Sequence, residues 1–595
     1  MTRKGKGRIC VDCTTRLDDN DDGAPNTLIP RPCTEDKEDE NPCIYFASAL
    51  KRHLEWIWNL RISHPKEDIQ QYGDDIHAAF HRVLYHPDMA IVFAYVFMEF
   101  LVVPVGAIFG ARNSPSYWCI LSELRAHLTA CRKQNSVLTS LAERVRLVAP
   151  PTSREQARLV GAQPDAVHQG ISPIFRDRIH QAMYVDDSST AAYRDSIRAA
   201  INASVESAYI LLGSPGEDRR VSCLAEDKWR DMASYVMEHL GFEIDTRAMT
   251  IAWPVEKRLA LKNLIAELWL TRDIVRRPRE IAQLLGIIRN AGFVAPWGIY
   301  ISIRLQQCLN DAIIATRQRC TKVWWYHGKV RIPDDALEDV RLIYDVLDDD
   351  PKNPTWRRYI GLMIRREPTS TIFSDASYEG LLGYSSDLSF MWRLSRQDLV
   401  STGFDMKALC SGITEPTATA TGLHINVLEL VAIVINIWMT LRRLQAIGEI
   451  QGGHIVRVQA DNTSALSWMK FAARSHSLPV RRLVRFLSAL LLCTDFPCKM
   501  EGSHIKGSEN VGADALSRLT PFPTWDSAIS ECSPLGVCQA YQIPCRLLFA
   551  ISSIASSTKI EAQSELPMIE LLRLELRTLR TGWHGMASTT SLLLR

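Results

Sequence analysis

The sequence carries almost no net charge: 69 Lys and Arg against 67 Asp and Glu leave +2 over 595 residues. That excludes a chain that coats polyanions by bulk charge, and equally an acidic, self-repelling disordered one. It leaves room for a basic cleft inside a neutral whole. A repeating cysteine framework is also missing. The 15 cysteines are scattered, and no apolar stretch follows the basic start MTRKGKGRIC (1–10), so a secreted disulfide scaffold is excluded. Reduced thiols and an intracellular site, cytoplasm or nucleus, are expected. Cys10 and Cys13 form a CxxC with Cys33 and Cys43 downstream. A zinc-binding arm and unrelated thiols both fit, because a zinc knuckle wants a tighter second pair. Long uninterrupted apolar runs are scarce. The stretch MAIVFAYVFMEFLVVPVGAIFG (89–110) is long enough to span a bilayer, but Glu99 and Pro104 interrupt it. Two buried strands joined by a turn are expected there, with no membrane partner.

What is present describes a folded chain. Hydrophobic residues are 46% and charged residues 23%, so each of about three to five domains can bury a core. Residues 14–43 are acidic and broken by Pro and Asn, as an exposed arm would be, and 149–175 read as a connection. Residues 225–241 predict a helix stopped by Gly241; 257–270 and 279–292 have apolar residues at helical spacing. DVLDDDPKNPTW (345–356) reads as a linker. After it the texture changes. Residues 370–395 predict a three-stranded meander, 426–444 a long apolar helix, 453–461 a strand, and 478–492 an amphipathic helix. Arg481, Arg482 and Arg485 fall on the polar side of that last helix, to line a phosphate backbone or simply to face solvent. Together these elements describe an α/β or α+β unit of about 150 residues. No dependable pattern follows Pro521.

Two sets of carboxylates call for an explanation. In MYVDD (183–187), strand-like residues lead into Asp186-Asp187, which a tight turn would project together. A solvated turn is one account; a divalent cation offsetting the repulsion is the other. Upstream, Asp75-Ile76-x-x-Ala79-Phe80 resembles the first palm motif of reverse transcriptases. FGARNSP (109–115) resembles their FGxxxSP motif, YVDD (184–187) the third, and LGFEID (240–245) the element that follows, in the right order. The resemblance implies a right-hand polymerase fold of fingers, palm and thumb. It implies that Asp75 and Asp186 coordinate two Mg²⁺ ions about 3.5–4 Å apart, with Asp187 in electrostatic support. Phe80 would exclude ribonucleotides at the 2′-hydroxyl, or merely pack in the core. KGKGRICVD (4–12) resembles the fingers segment that contacts the triphosphate, making Arg8 and Lys6 (or Lys4) nucleotide-binding candidates. That segment normally lies well inside the fingers, so the fingers are expected to be incomplete.

The second set is Asp375 in SDAS, Glu429 in INVLEL, Asp461 in DNTSA and Asp514 in HIKGSENVGADALSR. Glu429 interrupts an apolar helix, where an unpaired charge is costly. In order, these strings resemble the D-E-D-D set of ribonuclease H domains attached to retroelement reverse transcriptases. The resemblance implies a second pair of Mg²⁺ ions (Mn²⁺ as the substitute) held by Asp375, Glu429, Asp461 and Asp514. His504 would assist proton transfer or product release; an ordinary surface-loop histidine is the other reading. The whole is similar to a retrotransposon reverse transcriptase–ribonuclease H segment, with a texture nearest the DIRS type; no protease or integrase zinc motif is found. The expected plan is fingers and palm over 1–250, a thumb-like helical region over 251–330, a connection over 331–369, a ribonuclease H-like mixed-sheet domain over 370–520, and a tail over 521–595. The implied partners are RNA template, DNA primer, RNA–DNA hybrid (read by its A-form shape) and dNTPs. The alternative is a decayed remnant that no longer polymerises and at most binds nucleic acid.

Overall fold

A computed structural model describes residues 48–131, 179–213, 223–225, 233–316, 322–347, 354–401, 425–471, 478–492, 498–513, 517, 538–548 and 551–552, apart from short gaps of one to three residues within these ranges. The chain is mixed α and β and divides into two compact units, one essentially residues 1–251 and the other 252–595 apart from a short exchange near 363–365. Arg8, Lys6, Lys4, the four N-terminal cysteines and Asp514 lie outside the described residues.

In the first unit, β1 (Ile69–Asp75) pairs antiparallel with β5 (Asp187–Tyr193), which also pairs with β4 (His180–Tyr184). Helices α1 (Ala49–Ser63), α3 (Ser114–Cys131) and α4 (Ile197–Leu212) pack on this sheet. Between α1 and α3 lie the short helix α2 (Pro87–Val92) and the hairpin of β2 (Tyr95–Phe97) and β3 (Phe100–Val102). The two strands expected in 89–110 are therefore present, but β3 is not buried: Phe100 is 73% and Leu101 69% exposed. The helix expected over 225–241 is corrected where it falls on described residues, 233–241; residues 226–232 lie outside them. Val236–His239 form strand β6, paired with β7 (Phe242–Asp245). Its four residues alternate exposed and buried, a period of two too short to stand out against the helical patterning upstream. Leu240 and Gly241 both take positive φ, 48° and 85°, the geometry of a type I′ hairpin turn, so Gly241 makes a turn rather than ending a helix. β8 (Thr250–Ala252) lies beside β7.

The second unit opens with helices α5 (Val255–Leu268), α6 (Pro278–Ala291), α7 (Ile303–Ala315), α8 (Lys322–His327) and α9 (Asp334–Val346). A ribbon of β9 (Val275–Arg276) and β10 (Val330–Arg331) joins them. Part of the stretch expected as a connection, 331–369, is thus the packed helix α9, with Leu337, Val340 and Ile343 buried. After β11 (Arg357–Tyr359) and the single turn α10 (Ile360–Met363) come β12 (Ser370–Ala376), β13 (Gly380–Ser385) and β14 (Phe390–Ser395), the expected meander. Then follow α11 (Arg396–Ser401), α12 (Ile425–Ile447), β15 (His454–Ala460), α13 (Thr463–Phe471), α14 (Leu478–Leu492), β16 (Cys498–His504) and β17 (Gln539–Ala540). The sheet order is β16-β15-β12-β13-β14-β17. Strands β12, β15 and β16 run parallel. Helix α12 is apolar on every side because it is buried: 83% of its most apolar window is inside the fold. Its one internal amide, Asn436, donates to Phe373 O at 2.9 Å and accepts from Trp392 Nε1 at 3.0 Å. Gly383 makes room for this pair; a Cβ there would lie 2.5 Å from each of Asn436 Oδ1 and Trp392 Nε1.

One arginine of α14 corrects another expectation. Arg485 is buried and pairs with Asp339 at 3.1 Å, where Arg304 also donates at 2.8 Å. An arginine committed to a buried carboxylate is not presented to a phosphate backbone. The region beyond Pro521, without pattern in sequence, supplies β17, whose two residues pair with Phe390 and Met391.

Behind the first sheet, three histidines are buried: His53, His180 and His239. His53 Nε2 meets Gln71 Oε1 at 3.1 Å, and His239 Nε2 meets Ser189 Oγ at 3.1 Å. Burial pushes His53 down to about 4, against a smaller upward pull from the Gln71 bond. Burial and then the neighbouring His53 push His239 down to about 3. A depressed folded-state value means the unfolded chain takes up protons that the folded chain refuses. Stability is then complete above about pH 6.5 and declines as pH falls toward 4 and below. At pH 5 His53 alone should cost about 2 kcal/mol. Urea unfolding followed at pH 7 and pH 5 should show this loss, and His53→Gln should flatten the pH dependence; an unchanged dependence contradicts it. A second expectation concerns packing: Gly383→Ala should destabilise the chain by roughly 1–3 kcal/mol in the same unfolding assay.

Candidate active sites

The first site is built by strand register. Asp75 ends β1 and stands opposite Asp187, the first residue of β5. Residues paired across antiparallel strands place their side chains on one face about 4.5–5.5 Å apart at Cβ, where like charges repel. Asp186 joins them: its carbonyl accepts from Ile76 N–H at 3.0 Å. The tight turn is formed by Val185 and Asp186 rather than by the two aspartates, because Tyr184 and Asp187 already pair as strand residues. Val185 takes φ +55°, which only the residues around it can impose on a β-branched side chain. Part of that restraint is visible. Trp118 Nε1 donates to Val185 O at 2.5 Å. Trp118 lies one turn into α3, the helix that begins at Ser114-Pro115 of the FGARNSP motif.

Asp74, one residue before Asp75, points to the opposite face and is a feature the sequence reading missed. Its side chain is fully buried against Arg125 of α3, whose Nη2 donates to both carboxylate oxygens at 2.8 Å. Ser188 Oγ donates to Oδ1 at 2.6 Å and Ser204 Oγ to Oδ2 at 2.7 Å. The pair thus ties β1, β5, α3 and α4 together directly behind the aspartates. The only trace in sequence is a second aspartate in GDD and an arginine inside a helix of mixed polarity; nothing local pairs them. Phe80 packs in a cluster with Ile76, Ala79, Ala107 and Trp118 and is 8% exposed.

The second site gathers three of the four expected carboxylates. Asp375 comes from β12, Glu429 from the first turns of α12, and Asp461 from the end of β15. One oxygen from each lies within 4.8 Å of the others; Asp375 and Glu429 are buried and Asp461 is half-buried. Topology explains the convergence: β12 and β15 are parallel neighbours, so their carboxyl ends open on the same edge, and α12 packs across them. Ser517, from the HIKGSENVGADALSR segment, donates its hydroxyl to Asp375 Oδ2. Asn462 caps α13 by accepting from Ala465 N–H at 3.0 Å, and donates to Asn426 Oδ1 at 2.8 Å, fixing the backbone beside Asp461. His504 is exposed at the end of β16, with Nε2 3.1 Å from Asp461 O. A Cβ on Gly507 would approach Asp461 Oδ2 to 3.3 Å, so that loop runs close to the carboxylate. Three carboxylates this close repel one another strongly, and a hard divalent cation with oxygen ligands offsets that repulsion. The donor set fits such an ion.

No protein-family model matches the chain, and no curated protein matches it. Among solved structures, it is similar to the foamy viral protease-reverse transcriptase in complex with RNA/DNA hybrid, at 13% identity and a TM-score of 0.34, over 81% of this chain and 48% of that one. Two complexes with double-stranded DNA are also similar: one, of the form termed dRH, at 13%, 0.34, 81% and 61%; the other at 13%, 0.32, 74% and 68%. The chain therefore spans 61% and 48% of the length of two of these neighbours. An overlay this loose transfers no residue's role, and the assignments rest on the geometry of this chain.

The Asp74–Arg125 pair yields a direct expectation. Arg125→Met leaves a buried carboxylate uncompensated and should cost about 3–5 kcal/mol. The double variant Asp74→Leu with Arg125→Met should recover most of that loss in urea unfolding. A double variant as unstable as the single one would show that the pair is not the origin of the effect.

Proposed function

We propose that the chain is a nucleic-acid phosphoryl-transfer enzyme of retroelement type, with an RNA–DNA hybrid ribonuclease site at Asp375, Glu429 and Asp461 and a DNA polymerase site at Asp75, Asp186 and Asp187. The observation that carries this reading is the convergence of Asp375, Glu429 and Asp461 within 4.8 Å. They come from three separate elements, β12, α12 and β15. Asp514, in the same HIKGSENVGADALSR segment as Ser517, is the proposed fourth carboxylate. The first unit is read as palm and the helices of 252–347 as thumb-like.

Bound Mg²⁺ would supply Lewis-acid stabilisation of the phosphate and a more acidic water. The rest is work for this chain's own groups. Asp375 is held in place by the Ser517 hydroxyl, and Glu429 projects from a helix too well packed to shift. His504, exposed beside Asp461, would pass a proton to the leaving oxygen or to solvent. At the other site, the restrained Val185-Asp186 turn keeps Asp186 against the end of β1. Phe80, although packed in the core cluster, would limit the pocket at the sugar 2′-position, and Arg8 and Lys6 would meet the triphosphate.

The test is an assay of the full chain with Mg²⁺ on an RNA–DNA hybrid and on a primed RNA template. Hybrid cleavage should fall by on the order of 10²–10³ or more in Asp461→Asn, with primer extension falling likewise in Asp186→Asn. Cleavage indifferent to Asp461→Asn would overturn the ribonuclease assignment. Cleavage without any extension would identify the chain as a ribonuclease that no longer polymerises.

A further inference from the structure

The near-zero net charge of the chain hides a strongly asymmetric segment. Between residues 274 and 331 there are ten Lys and Arg and only two carboxylates, Glu280 and Asp311. The fold gathers several of these cations around one short aromatic helix. The ribbon β9/β10 pairs Arg276 with Val330 and Arg331 with Val275, so both ribbon arginines sit at the foot of α8. Helix α8 reads KVWWYH, and its outer side is not covered: Val323 is 68% and Tyr326 43% exposed. The Arg279 guanidinium stands over the Tyr326 ring at 4.9 Å. Arg279, Lys329 and Arg331 are exposed, and Trp324 and Trp325 are half-buried beside them. Gly328 makes this arrangement compact. Its N–H donates to Trp324 O at 2.7 Å, and a Cβ there would lie 2.5 Å from that oxygen and 2.7 Å from the indole Cδ1. Only glycine lets the ribbon leave the helix directly under the ring.

A helix that served only as packing would turn its aromatics inward and leave polar side chains outside. Here exposed aromatic surface lies beside the exposed cations Arg279, Lys329 and Arg331. That combination suits a strand whose bases stack on rings while its phosphates meet Arg and Lys. A duplex keeps its bases stacked on one another and cannot use the rings in this way. We infer that α8 and the β9/β10 ribbon form a binding site for single-stranded nucleic acid, with Tyr326 and Trp325 as stacking surfaces and Arg279 and Lys329 as phosphate contacts. The site involves none of the aspartates assigned above; the proposed function contributes only the class of ligand.

The test measures binding of the full chain to fluorescein-labelled oligo(dT) by anisotropy, alongside a blunt duplex of the same length. The single strand should bind more tightly than the duplex. Tyr326→Ala and Trp325→Ala should each weaken single-strand binding roughly 5- to 150-fold, and Tyr326→Phe and Trp325→Phe should restore it. Arg279→Gln with Lys329→Gln should lower the slope of log affinity against log salt by about 1.4. The charge-matched control, Lys51→Gln with Arg198→Gln on exposed positions of α1 and α4, should leave affinity and slope unchanged. Absence of single-strand binding, or binding that the alanine variants leave intact, overturns the inference. Hybrid cleavage by the unaltered chain is measured separately. Its absence together with variant-sensitive oligo(dT) binding would sink the enzymatic reading and leave this site standing.

Discussion

Electrostatic repulsion between carboxylates that backbone geometry forces together is the constraint on which both units depend. In the first, antiparallel register sets Asp75 opposite Asp187, and the turn brings Asp186 back to the end of β1. In the second, two parallel strands and a helix deliver Asp375, Asp461 and Glu429 to one point. Such arrangements cost free energy in an otherwise packed protein, so the surroundings must hold them. Each unit does this with neutral or cationic groups just outside the cluster. Arg125, Ser188 and Ser204 satisfy Asp74 behind the first site, while Ser517 and the Asn462–Asn426 amides brace the second.

Much of this arrangement was legible because it depends on local order. The switch from period-two to helical patterning after residue 370 marks the meander and α12, and Glu429 stands out as a charge in an apolar run. The motif strings around Asp75, Asp186, Asp375 and Asp461 are local too. Other features are pairings between residues far apart in sequence, and a single chain gives no signal for those. Asp74 with Arg125, and Asp339 with Arg304 and Arg485, read only as charged residues until the fold joins them. Arg485 shows the hazard: on a helical wheel it belongs to a polar face, yet its own side chain is turned into the protein.

Other departures have local causes. Strand β6 was obscured because Ala225–Met232 carry helical patterning, and four residues of alternation are too few to outweigh it. Strand β17 has two residues and gains its place from the edge of β14, not from its own sequence. The Val185 conformation is invisible in sequence because the turn that demands it prefers glycine; the hydrogen bond from Trp118 and the flanking strand pairs impose it.

The central claim is that the three convergent carboxylates of the second unit are metal ligands, not a buried acidic cluster satisfied by protein groups alone. The most direct measurement is an anomalous-scattering map of the full chain crystallised with Mn²⁺ in place of Mg²⁺. The account predicts manganese bonded to oxygens of Asp375, Glu429 and Asp461 at about 2.0–2.3 Å. No manganese there, with the three carboxylates instead drawn apart or engaged wholly by protein donors, would contradict it.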